Sequence, residues 1–501
     1  MQKIISLVLM CALLGAKALG NGVELKNGAV NEHTVSFDIS WDNSWNFLSQ
    51  GASADGIWVF VKAKNQNGVW QHISILGVPT QQSGNESLEF ELPQDYLGFF
   101  VMRQQGSGVV STSRISFEID ASLESFTEIR AFAIEMVKVP EGAFYLGDGS
   151  SVSSYTTSNG QPLLITSEEQ IDGLTITNPN GEFAPSPVPS VVPASYPKGY
   201  NSFWVMKYEV SQKQYVDFLN TLTATQQQNR ISSSITAQRG TRALINQYVP
   251  DSTYRNGVVI DVPSTGGAPA QFACNGNGDA TYNGTDDALD RAVNFLSWVD
   301  LAAFLDWAAL RPITEFEFEK VCRGSNVTPV AGEMAWGTPF VVDADNVQSS
   351  GTPLETVTNS ATETAGLANI GNVVATGNWG LRGPLRTGFA AGSQTTRLDA
   401  GAAYYGVMEL SGNVWELTVK AGSGGEQFNA TLGDGELSAS GDANQSTWPS
   451  SDGKGIIYRG GGWGSTLGEV GSYRDMAISD RFYSHLNPST RRNTSGGRGG
   501  R

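Results

Sequence analysis

The chain has 501 residues, a formal net charge of −17 at pH 7 and 40% hydrophobic residues. This length exceeds what one ordinary hydrophobic core serves, and it predicts two or three domains. A nucleic-acid binder needs a basic surface to displace counterions, and an anionic membrane attracts polybasic segments. The acidic net charge therefore excludes nucleic acids and anionic membranes as partners. The 58 glycines and the low share of charged residues, 16%, indicate many turns and loops.

Residues 1–20 have the pattern of a secretory signal peptide. Lys3 gives a positive start, residues 4–16 form an apolar run, and residues 16–20 contain the small side chains of a cleavage site. The alternative is a buried N-terminal helix. The run is too short to span a bilayer, and no later stretch is long enough. We expect a secreted or cell-surface protein without membrane insertion.

The cysteines leave two alternatives open. Cys11 lies in the signal peptide, so the mature chain keeps only Cys274 and Cys322. In an exported protein such a pair can form one disulfide. The alternative is two buried free thiols, which pack like small apolar side chains.

Residues 21–133 predict an all-β module. Apolar and polar residues alternate with period two in residues 35–41, 88–92 and 115–119, and residues 57–63 are almost continuously apolar. Strands at this spacing, separated by Gly, Asn and Ser turns, are typical of an immunoglobulin-like β-sandwich. The module shows no catalytic constellation, which favours a spacer or docking role.

Residues 134–501 predict an α+β domain. Ser211 and Ser297 are candidate N-caps for helices over residues 212–222 and 298–309, and Thr314 begins a capping box for a third helix. Short strands and glycine-rich loops follow, so the functional residues are expected on loops.

Two long polar segments interrupt this domain. Residues 148–200 are rich in Ser, Thr, Pro, Asn and Gly, and residues 223–290 separate the first two predicted helices. We predict that both are surface insertions and not a third domain.

Seven segments in order along the domain carry a family resemblance. They are Met136–Phe144, Lys207–Ser211, Trp307–Gly324, Trp336-Gly337, Gly406–Glu416, Tyr458–Trp463 and Gly496–Arg501. They resemble the motifs of the formylglycine-generating enzyme, or sulfatase-modifying factor, family. The resemblance implies a C-type-lectin-like fold. It also implies that the chain is a divergent, secreted bacterial member of this family.

The resemblance also allows a test for catalysis. The family's enzymes use two cysteines with copper to oxidise a cysteine of a client sulfatase. The corresponding positions here are Ser465 and Val470, and no cysteine follows Cys322. Neither valine nor a serine hydroxyl replaces a thiolate as a soft ligand for copper. We therefore expect no copper and a non-catalytic protein; the alternative is a protein-cysteine oxidase with displaced ligands.

Calcium is the cofactor that the resemblance implies. Asn413, Glu416 and the carbonyl oxygens of Gly412 and Val414 correspond to one calcium loop of the family. The alternative is that Asn413 and Glu416 bond the loop's own backbone.

A second calcium loop would use Asn369 and Ile370, but Thr387 replaces its aspartate. A separate acidic cluster is either solvated or a further metal site. It consists of Asp279, Asp286, Asp287 and Asp290.

The C-terminal loops are the predicted ligand-binding surface. The same fold displays variable binding residues near its C-terminus, and aromatic and arginine side chains dominate binding hot spots. Arg474 and Arg491 are expected to frame the core instead. The candidate residues are Trp463, Tyr473, Arg481, Phe482, Tyr483 and His485.

We therefore expect a protein or glycan as ligand. Besides the oxidase, a self-assembling surface-layer or filament protein remains an alternative.

Overall fold

The computed structural model describes residues 22–121, 125–177, 191–245, 253–371, 382–392, 395–465, 474–486 and 488–501. The predicted signal peptide therefore lies outside the described residues. Within these ranges the chain is mostly β, with four α-helices. No helix among them is both long and apolar enough to cross a membrane.

The first nine strands form the N-terminal part. They are β1 (Glu24–Asn31), β2 (Thr34–Asn46), β3 (Ala54–Asn65), β4 (Trp70–Ile73), β5 (Thr80–Ser83), β6 (Leu88–Glu91), β7 (Phe99–Arg103), β8 (Gly106–Glu118) and β9 (Phe126–Val139). The alternation predicted from the sequence is present, because Val35, Phe37 and Ile39 of β2 are fully buried while their neighbours are half-exposed.

Two groups of these strands share one core. The order β1-β2-β8-β5 forms one group, and β3 pairs with β9, β7 and β4 in the other. Among the described strands, the two groups pair with each other only at Asn46 and Ala54, and side-chain hydrogen bonds such as that from Ser44 to Asp55 add to this link. Apolar side chains from both groups meet in a single cluster, including Phe37, Ile57 and Phe117.

The four helices and the remaining strands follow. The helices are α1 (Gln212–Leu219), α2 (Ala224–Arg230), α3 (Trp298–Trp307) and α4 (Glu315–Arg323). The strands are β10 (Phe144–Leu146), β11 (Tyr155–Thr156), β12 (Leu163–Ile165), β13 (Ile171–Asp172), β14 (Thr175–Ile176), β15 (Val191–Val192), β16 (Phe203–Met206), β17 (Val258–Val262), β18 (Gln271–Cys274), β19 (Arg311–Pro312), β20 (Phe340–Asp343), β21 (Val347–Gln348), β22 (Thr356–Val357), β23 (Ala365–Ala368), β24 (Glu416–Val419), β25 (Ile456–Arg459) and β26 (Gly499–Gly500).

The three predicted helix starts are confirmed. Ser211, Ser297 and Thr314 are the N-caps of α1, α3 and α4, and each helix has a capping box. α1 and α3 end a few residues earlier than their apolar patterns predict. The starts are set by local hydrogen bonds, whereas the ends depend on packing.

The two parts of the chain share strand β9. Its residues pair with β3 over nearly their whole length, and its last four pair with β16. The predicted boundary at residue 134 therefore falls inside a continuous strand. Strands β16, β26 and β19 extend the same sheet into the C-terminal part.

Both predicted surface insertions contribute to the core, which differs from the expectation. Tyr155 and Tyr196, in the first, are fully buried and pack against Phe316 of α4. The second contains the hairpin of β17 and β18, where Ile260 and Cys274 are fully buried. The polar composition of the two segments predicted a surface location, although a small number of their side chains are buried and anchor them in the core.

Both cysteines of the described residues are free and buried. Cys274 and Cys322 belong to separate apolar clusters, so the disulfide alternative is wrong and the free-thiol alternative is confirmed. Burial raises the pKa of both thiols.

A buried lysine lies between the two parts. Lys62 of β3 is 2% exposed, donates a hydrogen bond to the Gly435 carbonyl, and lies 5.4 Å from the ring centroid of Trp307. Burial lowers its pKa to about 7, and the nearby Glu436 and Asp306 offset that effect only in part.

Replacing Lys62 with methionine tests this contact. From pH about 7 to 10.5 the unfolded chain keeps a proton that folded Lys62 has lost, so the free energy of unfolding rises with pH. The wild type should gain about 1 kcal/mol per pH unit relative to Lys62→Met in urea unfolding. Lys64→Met, on the half-buried part of β3, is the control and should keep the wild-type slope. Equal slopes in Lys62→Met and wild type would contradict the assignment.

Candidate functional site

The carboxylate of Glu315, at the start of α4, holds the C-terminal segment. Its oxygens accept hydrogen bonds from Arg459 Nη1 at 2.8 Å, Arg481 Nε at 2.7 Å and the Tyr155 hydroxyl at 2.7 Å. Burial alone would raise its pKa, but Arg481 and Arg459 outweigh burial and lower the pKa to about 2. Glu315 is therefore ionised throughout the neutral range.

Glu319, one turn further along α4, extends this cluster. Arg459 donates from Nη2 to Glu319 at 2.8 Å. One guanidinium therefore bridges two carboxylates on successive turns of the helix. Glu319 also accepts from Arg323 at 3.1 Å, from the Ser479 hydroxyl at 2.9 Å and from the Gly147 amide at 2.7 Å. The helix is thereby bound to β25 and to the chain that follows it.

Ser465, at the first predicted cysteine position, is part of a tight turn. It is 6% exposed, its hydroxyl accepts a hydrogen bond from the Gly462 amide at 3.1 Å, and its own amide donates to the Gly462 carbonyl. Val470, the second position, lies outside the described residues. Ser465, the described member of the two predicted cysteine positions, thus stabilises the backbone of its own loop.

Trp463 and Arg481 are not surface residues, so their prediction as exposed binding residues is wrong. Trp463 is 2% exposed and donates from Nε1 to the Asn493 carbonyl at 3.0 Å. Arg481 is 2% exposed and is held by Glu315. Sequence alone could not show that α4 supplies a buried carboxylate for this arginine.

The other candidates have different outcomes. Phe482 and Tyr483 are half-buried and lie in a 3-10 turn, Phe482–His485. Tyr473 and the side chain of His485 lie outside what the structure describes. Arg491 frames the core as predicted, donating to both oxygens of Asp300 at 2.8 Å.

Side chains near this turn form an aromatic–arginine surface, in which Tyr458 is buried and the other members are half-buried or exposed. Neighbouring members are in ring or cation–π contact. The surface consists of Arg474, Phe482, Tyr483, Trp415, Tyr458 and Arg492.

The contacts in this surface run in sequence from one arginine to the other. The exposed Arg474 lies 4.1 Å from the Phe482 ring centroid, and Phe482 meets Tyr483 at 4.9 Å between centroids. Tyr483 meets Trp415 edge-on at 5.1 Å, and Trp415 meets Tyr458 at 5.9 Å. The exposure of Arg474 differs from the core-framing role predicted for it.

Arg492, which is exposed, lies 6.0 Å from the ring of Tyr458. The half-buried Trp415 was missed as a surface candidate, and Tyr458, which is 3% exposed, lies beneath it; the two residues belong to separate motifs. β24, which begins directly after Trp415, pairs with β25 and brings the two motifs together. Their shared aromatic character was the available signal.

The side chain of Asn413 does not fit the predicted calcium site. Its Oδ1 accepts hydrogen bonds from Asn369 Nδ2 at 2.9 Å and from the Leu385 amide at 2.8 Å. Its Nδ2 donates to Glu209 at 2.5 Å, and Glu209 also accepts from the Val414 amide at 2.9 Å. Asn413 therefore has no lone pair left for an ion.

Glu416 already has a cationic partner. Arg498 Nε donates to Glu416 Oε1 at 2.6 Å, while Oε2 is buried without a partner among the described residues. Ile370 packs in an apolar cluster, whereas the carbonyl oxygens of Gly412 and Val414 accept no hydrogen bond among the described residues. Calcium takes about six to eight oxygens, and these two carbonyl oxygens with one orphaned carboxylate oxygen are too few while the side chain of Asn413 is engaged. The observed side-chain bonds also differ from the alternative, because Asn413 bonds Asn369, Leu385 and Glu209 and Glu416 bonds Arg498, none of which is backbone of the same loop.

The acidic cluster is divided by burial. Asp279 and Asp286 are exposed, whereas Asp287 and Asp290 are buried. Within the described ranges, no three His, Cys, Asp or Glu side chains are placed so that they could hold a metal ion.

These features define a mostly β protein with four helices among its described residues, whose C-terminal loops are tied by arginines to one carboxylate-rich helix. The model of the sulfatase-modifying factor enzyme 1-like domain matches residues 124–498. The chain therefore belongs to the formylglycine-generating enzyme, or sulfatase-modifying factor, family.

Comparison with other proteins adds little beyond the family. No curated protein matches the chain. One solved structure, from work on "pH-induced modulation of Streptococcus parasanguinis adhesion by Fap1 fimbriae", has 11% identity and a TM-score of 0.11 over 32% of this chain and 80% of that chain. A similarity at that level carries no argument about fold or function.

Proposed function

We propose that this chain is an exported, non-catalytic bacterial member of the family that binds an extracellular protein or glycan. The aromatic–arginine surface carries the proposal. Arginine and large aromatic side chains contribute most of the energy at binding hot spots, and here they form one continuous series.

The surface is supported from beneath, which favours tight binding. Arg481, directly before Phe482, is locked to Glu315, and Asp480 Oδ1 accepts a hydrogen bond from the Phe482 amide at 2.9 Å. A binding surface that is already ordered loses less conformational entropy when its ligand arrives. Phe482 and Tyr483 are thus presented in a fixed geometry.

The thiol chemistry supports the absence of catalysis. No cysteine follows Cys322 in the sequence, and Ser465 stands at the first reactive position. The thiolate is the form that binds metal and attacks, and burial raises the pKa of Cys274 and Cys322. Neither thiol is suited to replace the family's reactive pair.

The N-terminal module supports an extracellular role. In this proposal residues 1–20 direct export, and the following strands form an immunoglobulin-like sandwich that displays the family domain. The net charge of −17 is consistent with solubility outside the cell and with a ligand other than nucleic acid.

Substitutions on the surface test the binding proposal. Screening of the full chain on an array of purified glycans and extracellular peptides should identify a bound member. Arg474→Ala and Phe482→Ala should each weaken that binding by about tenfold or more, because each removes a hot-spot contact. Phe340→Ala is the matched control, since Phe340 is 59% exposed but lies outside the surface. Binding that survives in the Arg474→Ala/Phe482→Ala double variant would contradict the proposal.

The catalytic alternative has a direct test. The purified chain, supplied with a copper salt and a cysteine-containing sulfatase peptide, should leave the peptide unchanged by mass spectrometry, because no accessible thiol pair is present. An aldehyde trapped with a hydrazide probe would overturn the non-catalytic assignment.

A further inference from the structure

A cavity lies where the N-terminal strands meet the family domain. Its volume is about 460 Å³, within the range of about 300–1,000 Å³ that is typical of small-molecule sites. Asn43, Trp45 and Ser107 line it from the N-terminal part, and Tyr208 and Tyr404 line it from the family domain. None of these residues belongs to the aromatic–arginine surface, so this is a separate site.

Two aromatic rings of the cavity are rigidly held. Tyr404 is 47% exposed, yet its ring rests so closely on Gly324 that a Cβ at position 324 would lie 2.4 Å from it. Trp45 donates from Nε1 to the Ser53 hydroxyl at 3.1 Å and packs on Gly406, where a Cβ would lie 2.9 Å from the indole. Cations lie over both rings, with Lys207 Nζ 4.7 Å from the Trp45 centroid and the Arg397 guanidinium 5.5 Å from the Tyr404 centroid, so the parts of the rings that these cations leave uncovered provide the apolar surface beside solvent.

The charged side chains that line the cavity are already engaged. Lys207 lies 3.2 Å from Asp55 and 3.1 Å from Glu135, all three being buried. Arg397 donates from Nη2 to two backbone carbonyls at 2.9 Å and 2.6 Å. A phosphate or carboxylate would have to compete with these partners, so the cavity favours an uncharged ligand.

Neutral polar groups, by contrast, are available. The Asn43 side-chain amide and the hydroxyls of Ser107 and Tyr404 make no hydrogen bond within the part of the chain that the structure describes. A few unengaged polar groups among apolar walls are what fixes the orientation of a small ligand.

The geometry points to a binding site for a neutral mono- or disaccharide in this cavity. A pyranose ring has an apolar C–H face that suits Tyr404 and Trp45, and its hydroxyls suit the Asn43 amide and the Ser107 hydroxyl. The inference does not rest on the proposed function, because the two sites share no residue.

Calorimetric titration of the full chain with glucose, N-acetylglucosamine, maltose and cellobiose tests this site. At least one sugar should bind. Tyr404→Ala should weaken it by about tenfold and Ser107→Ala by about threefold, through the loss of ring contact and of one hydrogen bond. Tyr96→Ala is the matched control, because Tyr96 is 49% exposed and lies outside the cavity.

Three results would overturn the inference. They are the absence of heat with all four sugars, unchanged affinity in both Tyr404→Ala and Ser107→Ala, and stronger binding of glucuronic acid or of a short apolar peptide than of any neutral sugar. Phe482→Ala should leave sugar binding intact, which distinguishes failure of this site from failure of the proposed function.

Discussion

The ionised carboxylate of Glu315 joins three segments that lie far apart in the sequence. It binds Arg459 of β25, Arg481 of the C-terminal segment and the hydroxyl of Tyr155. A buried carboxylate is stable only when its charge and lone pairs are satisfied, and removal of one partner typically costs about 3–5 kcal/mol. The position of the aromatic–arginine surface follows from this constraint, because Phe482 and Tyr483 come directly after Arg481.

The two parts of the chain are joined by structure as well as by sequence. Strand β9 pairs with strands of both, and one apolar cluster contains Trp58 and Phe132 from the first part and Phe218 and Trp307 from the second. The cavity between the parts is accordingly lined by fixed side chains. This packing fixes the orientation of the N-terminal part relative to the family domain. The aromatic–arginine surface and the cavity therefore have defined positions relative to each other.

Local signals in the sequence predicted the local structure. The N-cap residue Ser211 and the capping box at Thr314 predicted helix starts because their hydrogen bonds lie within four residues, and alternation predicted the buried face of β2. The burial of Trp463 and Arg481 could not be predicted in the same way. Their burial depends on partners at least 30 residues away, the carboxylate of Glu315 for Arg481 and the backbone carbonyl of Asn493 for Trp463. The aromatic–arginine surface likewise combines three distant segments.

Hydrogen exchange in Glu315→Gln tests the central role of this carboxylate most directly. The variant keeps the shape of the side chain but removes the charge that pairs with Arg459 and Arg481. The backbone amides of residues 474–486 should exchange at least about tenfold faster than in the wild type, while those of β2 stay unchanged. Unchanged protection of residues 474–486 would contradict the account.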